Sequence, residues 1–239
     1  MSFAYSKMIR QAALRVSAVK GSDLATKNTK YGTTPLTITE IGNMDFPPKA
    51  LEDAAVSAVA RLVRAYASVK NHPFRLGNLS QTSTIAHKGL VPATNSAGKP
   101  IVGVYGAVRN ASTGEPMTEN PVQIIKSVLG DSNLKGTYNY YKIEDGRFYG
   151  TASGIIDVVT FDEATERSAL ASGDTPLPDA LFDAAWAALA AILVNDDAYT
   201  AQAAQFETFV QGVIGEIRSG ATNFGPGPDQ IISQNPEVN

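Results

Sequence analysis

The 239-residue chain has no cysteine, two histidines, one tryptophan and only 18% charged residues. Without cysteine it has no disulfide, no thiolate nucleophile and no cysteine metal site, which fits a reducing compartment or a particle that avoids thiol chemistry. No apolar run reaches the roughly 20 residues of a membrane span, and the N-terminus has no signal-peptide core. The hydrophobic fraction of 44% is typical of a globular protein with a real core.

Charge is distributed unevenly along the sequence. Residues 1–75 carry 11 Lys and Arg against 5 Asp and Glu, whereas residues 151–239 carry 2 against 13. One interpretation is two solvated surfaces of different sign. The other is head-to-tail complementarity, in which the basic part of one copy meets the acidic part of another. The basic residues are not clustered with aromatics, so the pattern does not indicate a nucleic-acid site.

Apolar periodicity and turn residues predict the elements. Helices are predicted at 3–19 with Ser2 as cap, from a start at Asp45-Phe-Pro-Pro48 to about Val69, at 121–129 with Asn120 as cap, at 179–193 and at 198–217. Strands are predicted at 36–41, 101–108 and 155–161, and a hairpin is predicted at 138–151. Residues 71–100 have few periodic signals, which favours either hidden short strands, such as 80–86, or an arm that reaches a neighbour.

These elements predict an α+β protein: an antiparallel helix bundle with a small antiparallel β-sheet or hairpin element and an extended C-terminal tail. Residues 1–218 form a single domain with a long irregular excursion at about 71–100. Residues 219–239 form the tail, where Gly, Pro, Asn and Gln exclude a core and leave simple disorder or a docking strap as interpretations. Its isolated apolar residues, the candidate docking contacts, are Phe224, Ile231, Ile232 and Val238.

Four groups of residues are candidates for chemistry, and each has a simpler structural interpretation. Asp145 and Gly146 with Glu144 suggest an acidic site, but a hairpin turn of Asp145, Gly146 and Arg147 is favoured, because Gly supplies the positive φ that the turn needs. Asp196 and Asp197 lack further oxygen ligands at loop spacing, so a helix cap is favoured over a metal site.

Histidine and tryptophan are interpreted in the same way. His87 with Ser83 suggests a catalytic pair, but no nucleophile-elbow motif supports it. Trp186 lies at helical spacing with apolar neighbours in an Ala-rich helix, which indicates a core anchor and not a sugar platform. No catalytic, cofactor or metal residue is therefore assigned.

The order of the parts over about residues 45–218 resembles the head-to-tail adaptor (connector or neck) proteins of tailed bacteriophages. The residues that carry the resemblance are the helix ending in Val69-Lys-Asn-His-Pro-Phe74, the strand Ile101 to Val108, Gly114-Glu-Pro-Met117, the helix 121–129, the hairpin Tyr140 to Tyr149, the strand Ile155 to Phe161, and Leu177-Pro178 leading into paired helices with Asp196-Asp-Ala-Tyr199 at their junction. The hairpin lacks the proline that commonly follows it in relatives, and the first forty residues do not match clearly.

The resemblance implies a structural, non-enzymatic protein without a cofactor. It implies a homo-oligomeric ring, usually of twelve copies, in the neck of the virion, with assembly in the host cytoplasm. The C-terminal segment docks on the portal, β-elements extend toward a downstream tail or nozzle protein, and genomic DNA passes through without sequence-specific binding. Two alternatives remain: another virion component, such as a tail-completion or baseplate protein, and a hydrolase that uses acidic residues.

Overall fold

The computed structural model describes residues 2–19, 48–69, 72, 76–170, 173–194, 199–221 and 224. Within these residues the protein is mixed α/β, with six α-helices and eight strands in three small sheets. The helices are α1 (Tyr5–Val19), α2 (Pro48–Ala67), α3 (Val122–Gly130), α4 (Glu163–Ala169), α5 (Phe182–Leu193) and α6 (Thr200–Arg218). The strands are β1 (Ser2–Ala4), β2 (Leu79–Gln81), β3 (Ile101–Asn110), β4 (Thr118–Glu119), β5 (Tyr140–Glu144), β6 (Arg147–Gly150), β7 (Gly154–Thr160) and β8 (Asp174–Pro178).

The predicted antiparallel helix bundle with a small β element is therefore wrong. The chain divides into two compact units, a helical unit of Met1–Val69, Pro73–Gly77 and Asp162–Asn239 and a β unit of Lys70–His72 and Asn78–Phe161. In the sequence, the β unit interrupts the helical unit. Its strands bury a hydrophobic core of their own, so they are a second structural unit and not an appendage to a bundle.

The helical unit is organised around α5. This helix contacts α1, α2 and α6, and its residues from Ala184 to Ala190 are all buried. Five of these seven positions are alanine, and small side chains let helix backbones approach closely. A helix that is apolar on most faces has to be covered on most faces, and here the covering comes from the same chain.

Two strands and a side-chain hydrogen bond complete the helical unit. β1 pairs antiparallel with β8, with Ser2 opposite Pro178. The Tyr5 hydroxyl of α1 donates a hydrogen bond to Glu166 of α4 at 2.5 Å. Burial raises the pKa of Tyr5 far above its usual range, and the bond to Glu166 raises it further, so the phenol stays protonated as the donor.

The β unit contains two three-stranded sheets. In one the order is β2–β7–β3 and all pairs are antiparallel; in the other the order is β4–β5–β6, with β4 parallel to β5 and a β5–β6 hairpin. Buried residues from both sheets form one cluster: Ile85, Val108, Met117, Tyr141, Phe148, Ile156 and Val158. Residues 76–100 contribute β2 and isolated bridges at Ile85, Leu90 and Thr94. Because a single bridge leaves no alternating pattern in the sequence, this segment showed few periodic signals.

Two predicted caps are wrong. Ser2 lies in β1, and its hydroxyl donates to Asp174 at 3.1 Å instead of capping α1. Asn120 does not cap α3, because its backbone continues the β4 register and donates to Tyr141; Pro121 occupies the cap position without a side-chain hydrogen bond. Proline suits this place because its missing N–H would be unpaired in the first helical turn.

The elements that the sequence did not predict are α4, β1, β4 and β8. No residue of α4 is buried, so the helix has no apolar stripe; its signal is the capping residue Asp162, which accepts from the backbone of Ala164 and Thr165. The sequence of β8 is Asp-Thr-Pro-Leu-Pro. Because proline is disfavoured inside strands, this segment was not predicted as one. The predicted strand at 36–41 lies outside the described residues.

The close contact between Phe148 and the backbone of β7 gives a first prediction. A Cβ added at Gly154 would overlap the ring of Phe148, which is fully buried. We expect Gly154→Ala to lower the free energy of unfolding by roughly 1–3 kcal/mol, measured by chemical denaturation. The matched control is Gly212→Ala in α6, where a Cβ meets nothing within 4 Å.

The control variant should be neutral or stabilised by up to about 1 kcal/mol, since alanine is the better helix former. Adding Phe148→Leu to Gly154→Ala should recover part of the loss by making room beside β7. Equal stability of the Gly154 and Gly212 variants would contradict the tight packing inferred here.

Candidate assembly surfaces

The β5–β6 hairpin turns at Asp145 and Gly146, whose φ angles are 50° and 69°. Both angles are left-handed, as a type I′ turn requires, and an Asp-Gly pair adopts them with little strain. Arg147 then begins β6 in register with Glu144. The structure thus places the three predicted hairpin residues in a tight turn whose side chains are all exposed.

A second turn lies against this hairpin. The Phe148 amide donates to the Gly89 carbonyl, and the Val91 amide donates to the Gly146 carbonyl, each at 2.8 Å. Leu90 bridges to Arg147, so residues 89–91 add a fourth row at the edge of β6. The Leu90 side chain is 65% exposed, more than any other large hydrophobic side chain in the described residues.

Lys88 adopts an unusual backbone conformation beside this row. Its φ is 60°, and among the described residues only Lys88 and Asp145 combine a positive φ with a side chain. A lysine in the left-handed region costs roughly 1–2 kcal/mol, so the surrounding hydrogen bonds must hold it there. We call Lys88, Leu90 and Arg147 the tip surface.

A second exposed group lies at the open end of the hairpin. The rings of Tyr138 and Tyr140 stack with centroids 5.1 Å apart, and Tyr138 is 40% exposed. Asn139, between them, donates to the Glu115 carboxylate at 2.9 Å and accepts from Asn110 at 2.7 Å. We call Tyr138 and Tyr140 the tyrosine surface; the hydrogen bond from Asn139 holds the Glu115 carboxylate beside the residue between them.

His87 contacts the backbone of the hairpin. Its Nδ1 lies 2.8 Å from the Gly150 carbonyl oxygen and 3.3 Å from the Gly150 nitrogen, and its ring stands edge-on to Tyr149. Within the described part of the chain, His87 makes no hydrogen bond to Ser83. The structure therefore does not bring the suggested catalytic pair together, and it places His87 between the second turn and β6.

Trp186 lies in the interior of the helical unit, where it is 1% exposed. Its Nε1 donates to Asp183 at 2.9 Å, which satisfies the polar group of a buried indole. The ring meets Phe206 of α6 edge-on, with centroids 6.0 Å apart. Trp186 thus joins α5 to α6.

Opposite charges from the two ends of the sequence meet within one chain. Arg61 of α2 donates two hydrogen bonds to the Glu207 carboxylate of α6, one of them at 2.8 Å. Arg167 of α4 pairs with Asp53 of α2. Folding therefore joins α2, in the basic third of the sequence, to α6 and α4 in the acidic third, although in the second pair the acidic residue comes from the basic third.

The end of α6 is closed by a Schellman motif. Gly220 has φ 81° and donates to the Ile217 carbonyl at 2.9 Å, and Ala221 donates to Glu216 at 3.0 Å. The helix thus ends at Arg218, directly before the predicted tail. Of the predicted docking residues, Phe224 is half-buried, while Ile231, Ile232 and Val238 lie outside the described residues.

No group of three or more acidic, His or Cys side chains that could hold a metal occurs within the described ranges, and Asp196 and Asp197 lie outside them. None of the helices in the described part of the chain is long and apolar enough to cross a membrane. No protein-family model matches the sequence, and no curated protein matches it significantly.

The sequence analysis did not single out the residues of the tip and tyrosine surfaces apart from Arg147. Tyr138 and Tyr140 were assigned to the hairpin only as strand formers. Leu90 carries no signal, because a lone leucine in a loop has no periodicity. Gly89 lies so close to the Ala86 carbonyl oxygen that a Cβ there would meet it at 2.8 Å, a contact that only the structure reveals.

The Arg61–Glu207 pair gives a pH-dependent prediction. The Arg61 guanidinium holds the pKa of the Glu207 carboxyl below its usual range, although partial burial opposes this. A lowered pKa in the folded state means that the stabilisation is complete above the unfolded pKa of about 4.3 and is lost as pH falls through the folded value. Because both side chains are partly exposed, Glu207→Gln should cost at most about 1 kcal/mol at pH 7.

The measurement is urea denaturation of the wild type and Glu207→Gln from pH 7 to pH 3. The difference between them should shrink toward zero at the acidic end. In an Arg61→Gln background the same substitution should have little effect at any pH. If Glu207→Gln lowers the free energy of unfolding by the same amount at pH 3 and pH 7, its effect comes from packing and not from charge.

Proposed function

We propose that the chain is a structural virion protein that assembles into a ring, joins the portal to the tail and surrounds the path of the DNA. The observation that supports the proposal best is the order of elements. A long helix (α2) precedes a β unit with the strand β3, the short helix α3, the β5–β6 hairpin and β7, and a proline-led segment then leads into α5 and α6. This is the order on which the resemblance to head-to-tail adaptors rests.

The physical character of the two units agrees with a structural role. Each unit has a buried core, so each can present a fixed surface to a partner. The β unit holds exposed side chains on backbone that is hydrogen-bonded on both sides, which lowers the entropy lost on binding. A closed ring requires two different surfaces on every subunit, because its interface is heterologous.

The C-terminal tail is the proposed portal-docking segment. It follows a helix whose last carbonyls are already satisfied by the Schellman motif, so the tail is not needed to complete α6. A segment of this kind becomes ordered on a partner by placing isolated apolar side chains in separate pockets. Phe224, Ile231, Ile232 and Val238 are the proposed contacts.

The ring itself is tested by co-expression with the portal protein of the same genome. The expected result is a co-purified complex whose native mass corresponds to a closed ring of chains, usually twelve, on the portal. An isolated monomer decides nothing, because assembly can require the portal. Failure to bind the portal, with antibodies to this chain marking a tail tip or baseplate in purified particles, would favour the other virion role instead.

The docking role of the tail gives a third prediction. Deleting residues 222–239 preserves Gly220 and Ala221, so the α6 cap stays intact. We expect the free energy of unfolding of this variant to lie within about 0.5 kcal/mol of that of the full chain, since the deletion removes no described core residue. We also expect the variant to lose binding to the portal. Stability is measured by denaturation and binding by co-sedimentation.

The matched control replaces Phe224, Ile231, Ile232 and Val238 with serine in the full-length chain. It keeps the length of the tail and removes only its apolar contacts. It should lose most of the binding that the deletion loses. Normal docking by either variant would refute the role of the tail.

A further inference from the structure

The main segment of the β unit, residues 78–161, begins and ends at the same place in the fold. The Thr160 amide and hydroxyl donate to the Asn78 carbonyl at 3.2 Å and 3.1 Å, and the Asn78 side chain donates to the Thr160 carbonyl. The pairing continues inward, where Leu79 of β2 lies opposite Val159 of β7. The two ends of the segment are therefore fastened to each other by the fold of the β unit itself.

The adjoining residues are fastened within the helical unit. The Gly77 amide donates to the Pro176 carbonyl of β8 at 3.0 Å. At the other end, the Asp162 side chain caps α4. At residues 77–78 and at residues 161–162, a single peptide bond thus connects backbone held in one unit to backbone held in the other.

The helical unit needs chain from both sides of this segment. α1 and α2 precede it, α5 and α6 follow it, and α5 is covered by the other three. When the β unit is folded, the two halves of the helical unit are joined at neighbouring points. When the β unit is unfolded, they are joined by a flexible loop of about 80 residues, whose closure costs entropy that grows with the logarithm of its length.

We propose that the two units stabilise each other through this connection. A folded β unit joins the two halves of the helical unit, and a folded helical unit holds together the ends of the unfolded β segment. The coupling follows from chain connectivity alone, and it is reciprocal because both effects belong to one thermodynamic cycle. Its size is on the order of 10²–10³ in the folding constant of either unit. A partner that binds and stabilises one unit therefore also protects the other from unfolding.

The full-length chain offers a separate reporter for each unit. Trp186 is the only tryptophan and is buried in the helical unit, so its fluorescence follows the unfolding of that unit in urea. Hydrogen exchange of residues 101–110 and 154–160, measured by mass spectrometry, follows the β unit.

Phe148→Asp places an unpaired charge in the core of the β unit, where the ring is fully buried, and should unfold this unit. Hydrogen exchange checks this, and Ile156→Asp in the same core is added where protection remains. We expect the urea midpoint of the Trp186 transition to fall, with the folding constant of the helical unit lowered on the order of 10²–10³-fold.

A disulfide then separates loop closure from every other effect of the substitution. The natural chain has no cysteine, so Leu79→Cys with Val159→Cys gives a single possible pair. These residues lie between two hydrogen-bonded rows of the β2–β7 ladder, where Cα atoms about 4.5 Å apart suit a disulfide. In the Phe148→Asp chain, the oxidised disulfide should restore most of the stability of the helical unit while the β unit stays unfolded. Reduction should remove the gain.

The matched control is Lys142→Cys with Tyr149→Cys in the same Phe148→Asp chain. These residues lie opposite each other in the β5–β6 hairpin, so their disulfide closes only the hairpin and leaves the ends of residues 78–161 apart. Oxidation should therefore change the Trp186 midpoint little.

The reciprocal effect is tested by unfolding the helical unit with Leu189→Asp, at a fully buried position in α5. Hydrogen exchange of the β unit should become faster, on the order of 10²–10³-fold, and the oxidised disulfide between residues 79 and 159 should prevent most of this change.

A Trp186 midpoint that Phe148→Asp leaves unchanged overturns the inference. So does a fall in the midpoint that the oxidised disulfide between residues 79 and 159 does not reverse, because the loss then has another origin than loop closure. The proposed function is decided separately, since none of these measurements involves the portal. A chain that shows the coupling and never binds the portal would reject the adaptor role alone.

Discussion

The burial of α5 is the constraint on which the helical unit depends. This helix is covered by α1, α2 and α6, so segments from both ends of the sequence must return to it before any of its faces is complete. The alanines allow close approach, but they contribute little apolar area each; Trp186, with its hydrogen bond to Asp183, supplies the largest buried side chain of the helix. Because α2 ends before the β unit and α4 and α5 follow it, this packing also holds together the two chain segments that flank the β unit.

In the core of the β unit, one large aromatic ring packs against two glycines. Phe148 is fully buried, and Gly150 and Gly154 lie so close to it that a Cβ at either would overlap the ring. Glycine weakens a strand by itself, yet here it admits the aromatic ring against the backbone. The same arrangement places His87 on Gly150 and the row 89–91 on β6, so the exposed Leu90 depends on the buried Phe148.

The sequence predicted elements whose own residues carry the pattern. Periodicity located α2, α5 and α6, alternation located β3 and β7, and the Asp145-Gly146 pair located the hairpin, each within a few residues. The sequence did not predict the elements that form only by pairing with segments distant in the same chain. β1 and β8 exist because they pair with each other, and the row at Leu90 exists because β6 has a free edge. The fold class was wrong for the same reason: the strands were recognised, but not that two sheets share a core.

The charge asymmetry of the sequence takes on a different meaning once the chain is folded. A basic first third and an acidic last third suggest that copies attract one another, but Arg61–Glu207 and Arg167–Asp53 show that these thirds meet within one copy. Surface pairs of this kind contribute little to stability. Only Arg61–Glu207 joins the majority charges of the two thirds, because in Arg167–Asp53 the basic residue belongs to the acidic third and the acidic residue to the basic third. Folding therefore brings the two thirds together while most of their opposite net charges stay outside these two pairs.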